Sequence, residues 1–143
     1  MPLVNRVRLV AIGMALSLNA GGAAADVVAV VSAKNPVTAL SKNQVMDIFL
    51  GKTSRFPDGS QAVPIDQVEG AAARDAFYAS FAGKSPAQLK AHWSKIIFTG
   101  RGQPPREVAN SIEVRKFIVD NPNVIGYIEQ DMVDGSVRAM LTK

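Results

Sequence analysis

Apolar positions in this chain switch between two spacings, and the switches predict its elements. Val27-Val28-Ala29-Val30-Val31 is a continuous run dominated by β-branched residues, the pattern of a strand buried on both faces. Asn35-Pro36 turns the chain. Val45, Ile48 and Phe49 then fall at i, i+3 and i+4 behind Ser41. This predicts a helix with Ser41 as N-cap, Gln44 at the capping-box position and one face toward a core. Gly51 ends that helix in the left-handed conformation. Pro57-Asp58-Gly59 follows as a turn, with Pro presetting φ and Gly accepting φ > 0. Ala62-Val63-Pro64-Ile65-Asp66 is a short apolar strand, expected near an edge or irregular because Pro64 lacks an N–H.

Gly70 opens a second helix through about Phe81, with Ala73, Phe77 and Phe81 on one face, and Gly83 closes it. Ser85-Pro86 starts a third as N-cap and first residue, carrying the stripe Leu89, Trp93, Ile96 and Ile97. Residues 98–105 contain two glycines and two prolines and read as a loop. Ser111 is the expected cap of a helix whose core face holds Val114, Phe117 and Ile118, closed by Asn121-Pro122. Val124-Ile125-Gly126-Tyr127-Ile128 reads as a buried strand, and residues 137–141 as another after Asp134-Gly135. The aromatic set Phe77, Phe81, Trp93, Phe98 and Phe117 is expected in the core. Alternating strands and helices give an α/β class with a mixed sheet flanked by helices. No internal repeat or low-complexity tract follows residue 25.

The first 25 residues stand apart. Arg6 and Arg8 precede an apolar run over 9–18, and Ala23-Ala24-Ala25 offers a small-residue cleavage site before Asp26. That is a secretory signal pattern, and the run is shorter than the about 20 apolar residues a spanning helix needs. Export to the periplasm, or out of the cell, is the expectation, with residues 26–143 as one domain. Removing Arg6 and Arg8 takes Lys and Arg from 16 to 14 against 12 Asp and Glu, a net charge of +2 rather than +4. There is no long basic run and no interleaving of arginines with aromatics, so no nucleic-acid partner is expected. The absence of cysteine excludes disulfides, thiolate metal sites, a lipid-anchored cysteine and a cysteine nucleophile.

Three blocks carry a resemblance: Ile48-Phe49-Leu50-Gly51-Lys52; Arg74-Asp75-Ala76-Phe77-Tyr78; and Trp93 to Gly100 followed by Asn121-Pro122-Asn123-Val124-Ile125-Gly126-Tyr127. In that order and spacing, the chain resembles the phosphate-type substrate-binding proteins of ABC transporters, in particular small single-domain members of the type 2 periplasmic binding superfamily. The resemblance implies a single periplasmic-binding-protein-like lobe. It also implies a site where a strand, a glycine-containing loop and a helix N-terminus grip an oxyanion. Such a grip works because first-turn N–H groups lack intrahelical partners and the helix dipole favours negative charge there.

On that resemblance the ligand residues are Asp66, Gln67, Gly70, Ala71, Ala72 and Arg74. Full-length phosphate binders carry an arginine and a Ser-Gly-Thr at this loop. Aligning Phe77 with the family's helix phenylalanine puts Gln67 at the arginine and Ala71-Ala72-Ala73 at the hydroxyls, which leaves backbone donors and Arg74. The implied ligand is phosphate or another small oxyanion, and the implied partner a membrane permease or sensor. The remaining 118 residues match one lobe of a two-lobed family. The expectation is therefore weak binding on one lobe, or a homodimer that completes the cleft.

Each candidate has two readings. Arg74 in a first helical turn is either an anion ligand, since a cation there opposes the dipole, or a surface arginine paired with Asp75 or Asp66. Asp66 either partners a ligand at a strand C-terminus or caps the loop before Gly70. His92, the one histidine, has no second ligand at helical spacing, so it reads as a packing or solvent-facing residue. No metal and no cofactor is expected. The serines have no paired histidine and no G-x-S-x-G occurs, so no catalytic residue is assigned and the chain reads as a non-enzyme. Gly100-Arg101-Gly102 reads as a flexible lip, with Arg101 and Arg106 as electrostatic guides. The rival to a binder is a ligand-free protein–protein interaction module derived from the same lobe; the triple alanine favours it, while Arg74 and Gly70 favour the binder.

Overall fold

The computed structural model describes residues 26–140; the expected leader over residues 1–25, and Leu141 of the last expected strand, lie outside them. β1 (Val27–Ser32) pairs antiparallel with both β4 (Val124–Glu129) and β5 (Val137–Ala139). β2 (Val63–Gln67) runs parallel to β4 on one side and to β3 (Arg106–Val108) on the other. The result is a five-stranded mixed sheet of order β3-β2-β4-β1-β5.

Successive side chains leave a strand on opposite faces, so β1 and β4 serve two cores at once. Ala29, Val31, Ile125 and Tyr127 face α1 (Lys42–Phe49), α2 (Ala72–Ala82) and α3 (Pro86–Phe98). Val30, Val124 and Ile128 pack with Ile65, Val114 and Ile118 beneath α4 (Ser111–Val119). Double burial explains why these two strands are continuous apolar runs rather than alternating ones. Gly126 sets how close α4 comes to β4. A Cβ there would lie 2.6 Å from Val114 Cγ1, inside any real contact distance, and 3.0 Å from Ile118 Cδ1, which is tight.

Helix ends follow the local signals. Ser41 and Gln44 form a reciprocal capping box at α1, and Ser85 and Gln88 form another at α3 with Pro86 in the first turn. Gly51 (φ +82°) and Gly83 (φ +63°) take the left-handed conformation after α1 and α2. In the 57–59 turn, the Asp58 carboxylate accepts from the Ser60 N–H at 2.9 Å.

β2 does lie near an edge, one strand in, and β3 covers its outer side only from Ile65 onward. The Val63 N–H donates to Asn123 O at 2.8 Å, so the position of the missing Pro64 N–H faces the other way, just before β3 begins. Other expectations are corrected. α2 starts at Ala72 rather than Gly70. The cap of α4 is Asn110, whose side chain accepts from the Glu113 N–H, and Ser111 is the first helical residue. Phe98 belongs to α3 and is 92% exposed, and Ile97 is 54% exposed, so the apolar stripe of α3 reaches the core only through Leu89, Trp93 and Ile96.

Candidate functional site

β2 ends by delivering Asp66 and Gln67 into the interior, where each is 2% exposed. The chain then rises through Val68 and Glu69 to Gly70, whose φ of +93° is the left-handed bend that aims the backbone into α2. Ala71 is the N-cap, and a methyl group offers no acceptor, so no side-chain cap bond is made. The first intrahelical bond runs from the Asp75 N–H to Ala71 O, at 3.2 Å. The N–H groups of Ala72, Ala73 and Arg74 precede it and lack intrahelical acceptors by helix geometry. In the other three α-helices among the described residues the third of these N–H groups is taken by the side chain of Ser41, Ser85 or Asn110.

Arg74 does not point a free cation at this turn. Its Nη1 donates to Glu107 Oε2 at 2.9 Å and to Gln67 O at 2.8 Å, and lies 3.9 Å from Asp66 Oδ2. The dipole argument for an anion beside Arg74 is met by the protein's own carboxylates. Asp66 was one expected partner; Glu107 reaches the arginine because β3 lies beside β2, which the sequence pattern did not predict. Burial works against the charged guanidinium, but the Asp66 charge and the Glu107 hydrogen bond outweigh it and hold Arg74 above its ordinary range.

Asp66 is the hub beneath the turn. It accepts from the Tyr78 hydroxyl at 2.6 Å, from the Tyr127 hydroxyl, and from the Gln67 N–H at 2.8 Å. Both tyrosines of the chain therefore serve one carboxylate. Burial pushes the Asp66 carboxyl above its ordinary value, with the Tyr127 and Tyr78 bonds and the Arg74 charge pulling the other way. Burial, then the Asp66 charge, raises both tyrosine hydroxyls so that they stay protonated donors. Gln67 is committed internally: its Nε2 donates to Ser111 Oγ at 3.0 Å and to Tyr127 O at 3.1 Å. Ser111 in turn donates to Glu129 Oε1 at 2.7 Å.

Of the six expected site residues, Gly70, Ala71 and Ala72 thus form the open turn. Asp66, Gln67 and Arg74 form a satisfied polar network that ties β2, β3, β4, α2 and α4 together under it. Tyr78, Tyr127, Glu107 and Ser111 complete that network and were not identified from sequence. Tyr127 carried a signal, since it shares the parity of the buried Ile125 on β4, and Tyr78 sits four residues after Arg74 on the same helix face. A cavity of about 240 Å³ opens beside Arg74, lined by Glu69, Asp75 and Glu107 as well as Arg74 and Lys90; acids outnumber bases in it. His92 is a packing residue that donates from Nε2 to Leu50 O at 3.0 Å. Among the described residues no group of three His, Cys, Asp or Glu is placed to hold a metal. No described helix is long and apolar enough to cross a membrane.

No protein-family model matches the chain, and no curated protein does. Solved structures do. A protein named for phosphate ABC transport, with bound phosphate, from Clostridium perfringens is 25% identical with a TM-score of 0.63, over 81% of this chain and 44% of that one. An ABC-type phosphate transport receptor from Vibrio cholerae is 19% identical with a TM-score of 0.63, over 81% and 45%. PstS from Borrelia burgdorferi is 12% identical with a TM-score of 0.59, over 82% and 47%. The chain spans less than half the length of each. Its α/β fold is that of phosphate ABC transporter substrate-binding proteins, matched over one part of them. These neighbours are named for binding and transport, not for catalysis.

Proposed function

We propose that this chain, with the fold of a phosphate-type binding protein, is a non-enzymatic solute-binding module for phosphate or a similar small oxyanion. It acts outside the cytoplasmic membrane, after removal of the leader over residues 1–25, and serves an ABC permease or a sensor. One observation carries the reading: α2 begins with an uncapped Ala-Ala-Ala turn after a left-handed Gly70, so the N–H groups of Ala72, Ala73 and Arg74 converge with the helix dipole. That is a ready oxyanion grip built from backbone alone. The small alanines leave room for the anion, while Asp66, Gln67 and Arg74 hold the turn from beneath.

Such a grip is shallow. Glu69 and Glu107 lie close enough to share the cavity beside it, and without a second lobe the ligand keeps a wet face. Affinity near about 1 mM follows, roughly 4 kcal/mol in all. A second copy of the chain laid over the turn would dry that face and tighten the grip.

The second reading is a ligand-free interaction module, and it is favoured by the pairing of Arg74 with Glu107 and Asp66. Calorimetry separates the two. Phosphate titrated into the protein releases heat if the turn binds it, and Ala71→Asp abolishes that heat because the new carboxylate caps the same N–H groups. Absence of heat up to about 10 mM, several times the expected constant, leaves only the interaction module.

A further inference from the structure

A second cavity, of about 470 Å³, lies between the end of α1 and the last turns of α3. Its size falls within the about 300–1,000 Å³ of small-molecule sites. Lys52, Lys95, Arg101 and His92 line it with Trp93 and Ile96, and no carboxylate does. Neither the two lysines nor Arg101 enters an ion pair among the described residues. The contrast with the Arg74 cavity is one of charge: there acids predominate and the arginine is consumed, here three cations are uncommitted.

The wall of this cavity is built rather than incidental. Gly51 lies so close to the indole that a Cβ would sit 3.1 Å from Trp93 Cη2, which fixes the ring against the end of α1. The adjacent His92 is tied to Leu50 O at 3.0 Å, and because a carbonyl only accepts, Nε2 carries the proton. Favourable contact with helix C-terminal dipoles explains Lys95 in the last turn of α3 and Lys52 just past α1. It explains neither Arg101, which lies beyond α3 between two glycines, nor the apolar wall.

We propose that this cavity binds a small organic anion. Its apolar body rests on Trp93 and Ile96, and its carboxylate or phosphate-ester head is held by Lys52, Lys95 and Arg101. The indole and the cations require different halves of one molecule, which excludes both inorganic phosphate and a neutral aromatic as good ligands. None of these three cations lines the cavity beside Arg74, although Trp93 borders both, and the proposal does not depend on phosphate binding at the α2 turn.

The chain's one tryptophan supplies the readout. Benzoate, phenyl phosphate, inorganic phosphate and benzyl alcohol are titrated into the full chain at low salt, following Trp93 fluorescence. Benzoate and phenyl phosphate should saturate, with the tighter of the two identifying the head group. Inorganic phosphate and benzyl alcohol should be weaker by about tenfold or more, the loss expected for half of the contacts. Lys95→Gln and Arg101→Gln should each weaken the better ligand about five- to tenfold with an unchanged thermal midpoint, and Arg101→Lys should recover most of the loss. Because Trp93 borders both cavities, the variants separate the readings: a response lost in Arg101→Gln belongs to this cavity, and one lost in Ala71→Asp belongs to the α2 turn. The proposal is overturned if no organic anion saturates, if inorganic phosphate or benzyl alcohol binds as tightly as the best organic anion, or if both variants bind as the parent does. It is also overturned if the only effect of Lys95→Gln is a lower thermal midpoint, the mark of a dipole partner.

Discussion

Replacing Asp66 by alanine is the sharpest test of the polar network under the α2 turn. The substitution removes the acceptor of the Tyr78 and Tyr127 hydroxyls, on residues only 2% and 0% exposed, and one of the two carboxylates facing Arg74. A buried donor left without its acceptor costs about 1–3 kcal/mol. Two such hydroxyls, with partial relief because Arg74 keeps Glu107, put the loss at about 4 kcal/mol. Out of the about 5–15 kcal/mol of a typical domain, that is a large share. Urea unfolding followed by circular dichroism at neutral pH measures it, provided the slope with denaturant is unchanged. A loss under about 1 kcal/mol, the net worth of one ordinary hydrogen bond, would refute the network as described.

Asp66→Asn adds the pH dependence. Because burial raises the Asp66 carboxyl in the folded state, the fold binds that proton more tightly than the unfolded chain does. The resulting stability is fully present below the unfolded value of 3.8 and is lost as pH rises through the folded value. The stability of the parent relative to Asp66→Asn, which mimics the neutral acid, should therefore grow as pH falls through that window. A difference that instead grows with rising pH means that the tyrosine and arginine contacts, not burial, dominate the carboxyl.

Gly126→Ala should destabilise by about 1–3 kcal/mol, the cost of overpacking, since the added carbon meets Val114 and Ile118; a neutral result in urea unfolding means that α4 can move off β4. Ala71→Asp should raise the thermal midpoint, through about 1 kcal/mol of new capping energy, while removing phosphate heat; a lower midpoint excludes an open first turn. Glu107→Gln, at a half-exposed position, should cost under about 1 kcal/mol. By loosening Arg74 it should strengthen phosphate binding several-fold, and unchanged affinity means that the arginine cannot reach the turn.

What the sequence by itself determined is whatever a few neighbouring residues settle among themselves. The two capping boxes, the Pro57-Asp58-Gly59 turn, the left-handed glycines after α1 and α2, and the doubly apolar runs of β1 and β4 are of this kind. Their hydrogen bonds or periodicities close within about one turn. The α/β class followed from their order. β3 was invisible because three residues with an exposed pattern carry no periodicity; it is a strand only because the edge of β2 from Ile65 onward needs a partner. The tertiary structure also decided the polar network, which joins residues far apart in sequence: Asp66 to Tyr127 across 61 positions, Gln67 to Ser111 across 44, and Arg74 to Glu107 across 33. It turned Phe98 outward and gathered Lys52, Lys95 and Arg101 around one cavity. Backbone propensity acts over one helical turn, whereas burial and charge pairing act through space once the sheet order is set. The Gly70 bend and the helix after it could therefore be read from sequence, but the partners of the side chains beneath them could not.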